Sequence, residues 1–207
     1  EDGKLMAGGM TLLPTLKQRL AAPSDVIDLG AIAALKGVRK DGEEIVIGAM
    51  TRHYDVASSD VVKANIPALA SLAGQIGDPA VRHRGTIGGS IANSDPAADY
   101  PGGCMGLGAT IVTTKRRIKA DDFFVGLFET ALESDEIVTE VRFPIPQKAA
   151  YQKFRHPASG YAVVGVMVAK FADGVRVGVT GSGPCAFRAS DFEAALSKDF
   201  SPQAIEN

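Results

Sequence analysis

Between Arg82 and Tyr100 the chain reads R-H-R-G-T-I-G-G-S-I-A-N-S-D-P-A-A-D-Y. The pair Gly88–Gly89 stands between the hydroxyls of Thr86 and Ser90, with Gly85 just upstream. Glycines lack a Cβ, so backbone N–H groups there can close on an anion, and hydroxyls add donors. That chemistry suits a phosphate or pyrophosphate. The loop that follows, Asp95-Pro96-Ala97-Ala98-Asp99, offers carboxylates, which suit sugar hydroxyls. Phosphate donors followed by hydroxyl acceptors describe a nucleotide site. A second stretch of the same kind runs Ala7-Gly8-Gly9-Met10-Thr11-Leu12-Leu13-Pro14. Neither stretch fits G-x-G-x-x-G or G-x-x-x-x-G-K-[ST], which argues against a Rossmann or P-loop site. Taken singly, each glycine pair also fits a plain tight turn.

The elements that must position these residues follow from periodicity and breakers. Lys4–Met6 reads as the end of a strand, and Gly8–Gly9 turn the chain. Thr11 is expected to cap a helix carrying Leu12, Leu13, Leu16 and Leu20 at helical spacing, with Pro14 tolerated in its first turn. The glycine loop then sits against a helix N-terminus, which favours anions. Strands are expected at Asp25–Leu29 and Glu44–Ala49, giving a small α/β subdomain. Thr51 is expected to cap a short helix near Tyr54. Val61 to Ala73 reads as a helix broken by Pro67. Short elements are expected at Val81–Arg84 and Ser90–Asn93, then a small-residue helix over Cys104–Ala109. Thr110–Thr113 and Glu136–Phe143 read as strands, with a short helix from Ala120. Lys115-Arg116-Arg117 is expected to be a solvated hairpin tip. Pro144 and Pro146 mark a domain boundary, so the expected division is 1–146, in two subdomains of about 1–50 and 51–146, then 147–207. In the last part Ala150–Phe154, Tyr161–Lys170 and Val175–Thr180 favour an antiparallel sheet, followed by a helix from Phe192. A unit of this size is marginal alone, and both ends of the chain, at Glu1 and Asn207, read as truncated.

Composition excludes several classes. The formal net charge of −2 over 207 residues gives no nucleic-acid footprint. No apolar run is long enough to span a membrane. The two cysteines, Cys104 and Cys185, have no C-x-x-C spacing and cannot ligate an iron–sulfur cluster by themselves. They suit a reducing, cytoplasmic location. The histidines His53, His83 and His156 have no metal-ligand spacing, so no metal site is expected. No Ser/His/Asp or Cys/His constellation stands out, and no catalytic acid or base is assigned.

The segments A-G-G-M-T-L-L-P (Ala7–Pro14), I-G-D-P-A-V-R-H-R-G-T-I-G-G-S (Ile76–Ser90) and D-P-A-A-D-Y (Asp95–Tyr100) resemble the FAD-binding subunit of molybdenum hydroxylases. That family includes the medium subunit of aerobic carbon monoxide dehydrogenase and the flavin domain of xanthine dehydrogenase. I-G-A-M-T (Ile47–Thr51), A-D-D-F-F (Ala120–Phe124) and Y-A-V-V-G-V (Tyr161–Val166) extend the likeness in the same order. The resemblance implies an α+β fold. It has two α/β subdomains of the vanillyl-alcohol-oxidase type, then a C-terminal antiparallel sheet-plus-helix domain. It implies FAD contacts at Ala7, Gly8, Gly9, Met10 and Thr11, and at Thr86, Ile87, Gly88, Gly89 and Ser90. Asp99 would accept a cofactor hydroxyl. Asp95 would do likewise or only stabilise its loop. Tyr161 would lie near the isoalloxazine ring or be a core aromatic. Met10 stands where the family commonly has a polar residue. The implied role is electron transfer: from iron–sulfur clusters of a small subunit, fed by a large molybdenum-cofactor subunit, through FAD to a quinone, NAD or another acceptor. A free-standing flavin oxidoreductase and a cofactor-free assembly module are the alternatives.

Overall fold

The computed structural model describes residues 2–206; Glu1 and Asn207, the outer ends of the expected domains, lie outside them. The chain opens with β1 (Gly3–Met6), α1 (Leu12–Lys17) and β2 (Asp25–Asp28). β1 and β2 pair in parallel, Gly3 opposite Asp25 and Met6 opposite Asp28, as a right-sized β–α–β unit requires. Next come the hairpin β3 (Val38–Asp41) and β4 (Glu44–Gly48), then six helices: α2 (His53–Ser58), α3 (Asp60–Asn65), α4 (Pro67–Gly74), α5 (Pro79–Arg82), α6 (Ile87–Asn93) and α7 (Asp99–Leu107). Pro67 divides α3 from α4 as expected, because it lacks the N–H to continue a helix but suits a first turn. Side chains cap three of these short helices: Ser59 accepts from Val62 N–H, Asp78 from Val81 N–H and Thr86 from Gly89 N–H. Thr51 does not cap α2. Its hydroxyl instead accepts from Gly37 N–H at 2.9 Å and donates to the Gly37 carbonyl at 3.0 Å, and Arg52 takes the cap position.

After α7 follow β5 (Thr110–Thr113), β6 (Arg117–Lys119), α8 (Ala120–Phe123), β7 (Phe124–Gly126), β8 (Glu129–Thr130) and β9 (Val138–Pro144). The strands β3-β4-β9-β5-β6 form one antiparallel sheet. The sequence places the Glu44–Ala49 strand in the opening subdomain and gives no strand at Val38–Asp41; pairing of β4 with β9 and of β3 with β4 puts both in this second sheet instead. The sequence between them and β9 could not reveal that partnership. The basic tip 115–117 is not merely solvated: Lys115 pairs with Glu133 and Asp135, and Arg116 with the buried Glu136. The acidic segment 133–136 folds opposite it, a contact across some twenty residues of chain.

The last four strands, β10 (Lys148–Arg155), β11 (Ala162–Phe171), β12 (Gly174–Thr180) and β13 (Phe187–Arg188), make an antiparallel sheet covered by α9 (Ser190–Lys198). All nine residues of α7 are buried between this sheet and α4. α7 contains three glycines and a proline, poor helix formers; close packing offsets that. A Cβ on Gly106 would lie 2.5 Å from the Met167 carbonyl oxygen, and one on Gly178 would strike Gly102 O and Gly106 N. Gly178→Ala should therefore lower stability by about 1–3 kcal/mol or more. A urea-unfolding midpoint equal to that of wild type would contradict this packing.

Candidate functional site

A cavity of about 960 Å³ separates the β1–α1–β2 unit from the helices and reaches the β10–β11 turn. Twelve of the thirteen residues singled out by sequence line it: Ala7 to Thr11, Thr86, Gly88, Gly89, Ser90, Asp95, Asp99 and Tyr161. Ile87 does not. It is the first residue of α6 and its side chain is fully buried in the core.

The two glycine stretches meet. A Cβ on Gly8 would strike the Arg84 carbonyl and lie 2.8 Å from Gly85 Cα, so the loop's backbone abuts the start of the second stretch. A Cβ on Gly89 would lie 3.2 Å from Ala7 Cβ. Their amides differ in what they already bond. In the second stretch Ile87 N–H donates to Thr51 O, Gly88 to Ala49 O, Gly89 to Thr86 Oγ1 and Ser90 to Thr86 O. These amides are spent on seating α6. In the first stretch the amides from Ala7 to Leu12 donate to no acceptor among the described residues. A run of unpaired N–H groups around a glycine with φ +75°, Gly9, has the geometry that can close on an anion. Thr11 makes no side-chain cap to α1, so its hydroxyl is not used there either. Met10 is part-exposed, and its amide serves whatever its side chain is.

At the other end, Asp95 Oδ1 accepts from Ala97 N–H at 2.9 Å, which stabilises its own loop. Asp99 is buried, and both oxygens are engaged: Oδ1 accepts from Tyr151 Oη at 2.5 Å and Oδ2 from Lys153 Nζ at 2.9 Å. Burial pushes its carboxyl up, while Tyr151 and Lys153 pull it back. Tyr161 is 48% exposed, which removes the core-aromatic alternative. Burial raises its phenol, as do the charges of Asp95 and Asp99, which line the same cavity.

Sequence reasoning passed over several wall residues: His53, Lys153, Arg155 and the segment Glu136–Val138. The carboxylate of Glu136 is held by Thr113, Arg116 and the Glu133 amide, and the Arg116 hydrogen bond chiefly lowers it to about 2. His53 is 4% exposed, and its Nδ1 has no partner. Burial, with the charge of Arg82, lowers it to about 4 from an ordinary 6.5. The unfolded chain therefore binds more protons than the folded one between these values, and stability should fall as pH drops from 6.5 towards about 4. In an NMR titration the His53 ring signals should stay flat through neutral pH; a midpoint at the ordinary value would contradict its burial.

A second cavity of about 660 Å³ shares Ala7, Gly8, Met50 and Thr86 with the first and is ringed by the exposed Lys36, Arg52, Arg84, Asp28 and Asp55. Among the described residues no group of His, Cys, Asp or Glu could hold a metal ion, and no helix is long and apolar enough to cross a membrane.

The family model for the FAD binding domain in molybdopterin dehydrogenase matches residues 1–146. The carbon monoxide dehydrogenase medium chain of Hydrogenophaga pseudoflava is 38% identical, matched over 99% of this chain and 76% of its own length. The nicotine 6-hydroxylase medium subunit of Paenarthrobacter nicotinovorans is 36% identical over 100% of this chain and 77% of its own. The solved carbon monoxide dehydrogenase from Hydrogenophaga pseudoflava lacking the Mo-pyranopterin moiety superposes with a TM-score of 0.91 at 39% identity, covering 99% of this chain and 76% of that one. With a family model over residues 1–146 and a relative 38% identical over 99% of this chain, the chain belongs to the FAD-binding domain family of the molybdopterin dehydrogenases.

Proposed function

We propose that FAD lies along the larger cavity, with its pyrophosphate on the Ala7–Leu12 amides and its isoalloxazine towards Tyr161. The observation that carries this is the run of unpaired amides on one side of Gly8, next to the abutting Gly85–Gly89 stretch. A diphosphate there gains several N–H donors, strengthened by charge. Gly89, Thr86 and Ser90 shape the floor, and the Gly89 and Ser90 amides, both donating to Thr86, hold the start of α6 in place. Asp95 keeps one oxygen, Oδ2, outside its loop hydrogen bond and suits a hydroxyl. Asp99 is held by Tyr151 and Lys153, so it presents a fixed wall rather than a free acceptor.

The chain serves as the FAD-binding electron-transfer subunit of a molybdenum hydroxylase. Flavin, when bound, links one-electron to two-electron transfer; the protein binds, orients and tunes it. The partners in this reading are a small iron–sulfur subunit and a large molybdenum-cofactor subunit, with a quinone, NAD or another external acceptor. The division at 146 follows the same reading, since β9 ends at Pro144 and β10 begins at Lys148. A cytoplasmic location fits the free thiols Cys104 and Cys185. The amide cradle argues against a cofactor-free module.

The test is an absorbance spectrum of the purified chain, alone and co-expressed with its partners, before and after FAD is added, beside Gly89→Asp. Substitution at Gly88 is unsuitable, because its Cβ would lie 2.9 Å from Ala49 Cα and unseat α6. Gly89→Asp places a carboxylate between the two stretches. A flavin band in wild type that this variant loses, with its circular dichroism intact, is the expected result. Equal flavin in both would place the cofactor elsewhere.

A further inference from the structure

Alternate residues of a strand share one face, and β10 turns Tyr151, Lys153 and Arg155 towards the first turn of α7. Lys153 and Asp99 line the cavity, and Tyr151 stands behind them. The Lys153 and Asp99 side chains are 1% and 5% exposed. An ammonium has three donors. One goes to Asp99 Oδ2 and a second to the Gln75 carbonyl at 3.2 Å, which Arg155 also holds. Tyr151 completes the arrangement from the other side through Asp99 Oδ1. Room for its hydroxyl is specific. Gly165 sits directly across the ladder from Lys153, and a Cβ there would strike that hydroxyl and lie 2.9 Å from Thr180 Cγ2. A phenylalanine ring would fill the same core space without needing this allowance.

We propose that Tyr151 is a positioning residue: its hydroxyl keeps Asp99 ionised against Lys153, so that the wall facing the flavin carries a neutral pair and not a lone cation, and this sets how readily the bound flavin takes up electrons. The inference rests on the FAD reading above. Every group that faces Asp99 bears on it. Burial favours the protonated acid. Tyr151, Lys153 and the charge of Arg155 oppose that, and Tyr100 and Tyr161 face it as neutral phenols. Without the Tyr151 hydroxyl, Asp99 takes up a solvent proton at a pH where the wild-type carboxylate remains ionised. The Lys153 charge is then uncompensated and favours added electrons on the flavin.

The experiment is a spectroscopic redox titration of the FAD-loaded full chain from about pH 5 to about pH 8, for wild type, Tyr151→Phe and Gly165→Ala. Both variants should hold flavin at wild-type stoichiometry and show a more positive midpoint potential. The gap should be open between the two Asp99 pKa values, wild-type and variant, and close as pH rises above the variant's. Gly165→Ala keeps the hydroxyl but displaces it, so it separates positioning from loss of the group. Coincident potentials across the range, with flavin bound, would overturn the inference and leave the FAD reading standing. A folded Tyr151→Phe chain that takes up no flavin would overturn it too, since a binding role would replace the charge role. A wild-type chain that binds no FAD in any form would overturn the FAD reading and this inference with it.

Discussion

Gly8→Val should weaken FAD binding by about 100-fold or more, about 2.7 kcal/mol, while most of the fold survives. A Cβ at this position meets backbone: the Arg84 carbonyl oxygen, its carbon at 2.7 Å and Gly85 Cα at 2.8 Å. Backbone atoms cannot rotate away as a side chain does, so the loop itself must retreat. The amides from Ala7 to Leu12 would then leave the second glycine stretch, and the cradle would open. Damage should stay local, because β1, α1 and β2 contribute no fully buried residue to the core. The measurement is a fluorescence titration with FAD beside a far-ultraviolet spectrum. A wild-type dissociation constant in a folded variant would show that the cradle does not carry the binding.

Lys153→Met should lower stability by about 3–5 kcal/mol, the usual cost of leaving one half of a buried ion pair behind. For a chain of this size that is roughly 6–20 °C in melting temperature. Methionine matches the stem of lysine but not its charge, so Asp99 keeps its burial and the Tyr151 bond and loses its cation. The loss has a pH signature. Burial already raises the carboxyl of Asp99, and removing Lys153 raises it further. A group raised in the folded state binds protons more tightly there than in the unfolded chain, so the variant should recover stability as pH falls into the acid range. A melting temperature equal to that of wild type at neutral pH would contradict the pair's burial. The substitution also removes the Gln75 contact, which ties β10 to the end of α4.

Much of this is legible in the sequence. Pro67 and the alternating strand of β9 are local signals, and the structure keeps both, whereas the Thr86 cap of α6 was not read from the sequence. Tyr161–Lys170 favours a sheet through its β-branched content, and it forms β11. The start of α7 at Asp99 was missed because Pro101 and two glycines mask it; burial on all sides overrides their poor propensity. Thr51 misled for a different reason. Its hydroxyl is a good cap by type, but a partner at Gly37 lies closer in the fold.

The candidate site divides the same way. Residue type alone marks both glycine stretches as anion sites, yet only the first leaves its amides free. In the second, the Ile87 and Gly88 amides go to Thr51 and Ala49, contacts some forty residues away that no spacing encodes, and the Gly89 and Ser90 amides go to Thr86. Lys153 shows an intermediate case. The alternation Tyr151-x-Lys153-x-Arg155 could have placed three polar groups on one strand face. Nothing local could show that Asp99 faces them. His53 gave no signal at all, since a single histidine after a strand is ordinary and only its burial makes it unusual.

The unpaired amides near Gly8 should receive the pyrophosphate of FAD. The most direct test is a two-dimensional amide NMR titration of the labelled chain with FAD, with riboflavin as the comparison that lacks phosphate. With FAD the largest amide shifts should fall within Ala7–Leu12, accompanied by shifts at Tyr161. Riboflavin should move Tyr161 and leave the Gly8 and Gly9 amides in place. Amides at Ala7–Leu12 that do not respond to FAD, with shifts confined to the smaller cavity around Arg52 and Asp55, would contradict the account.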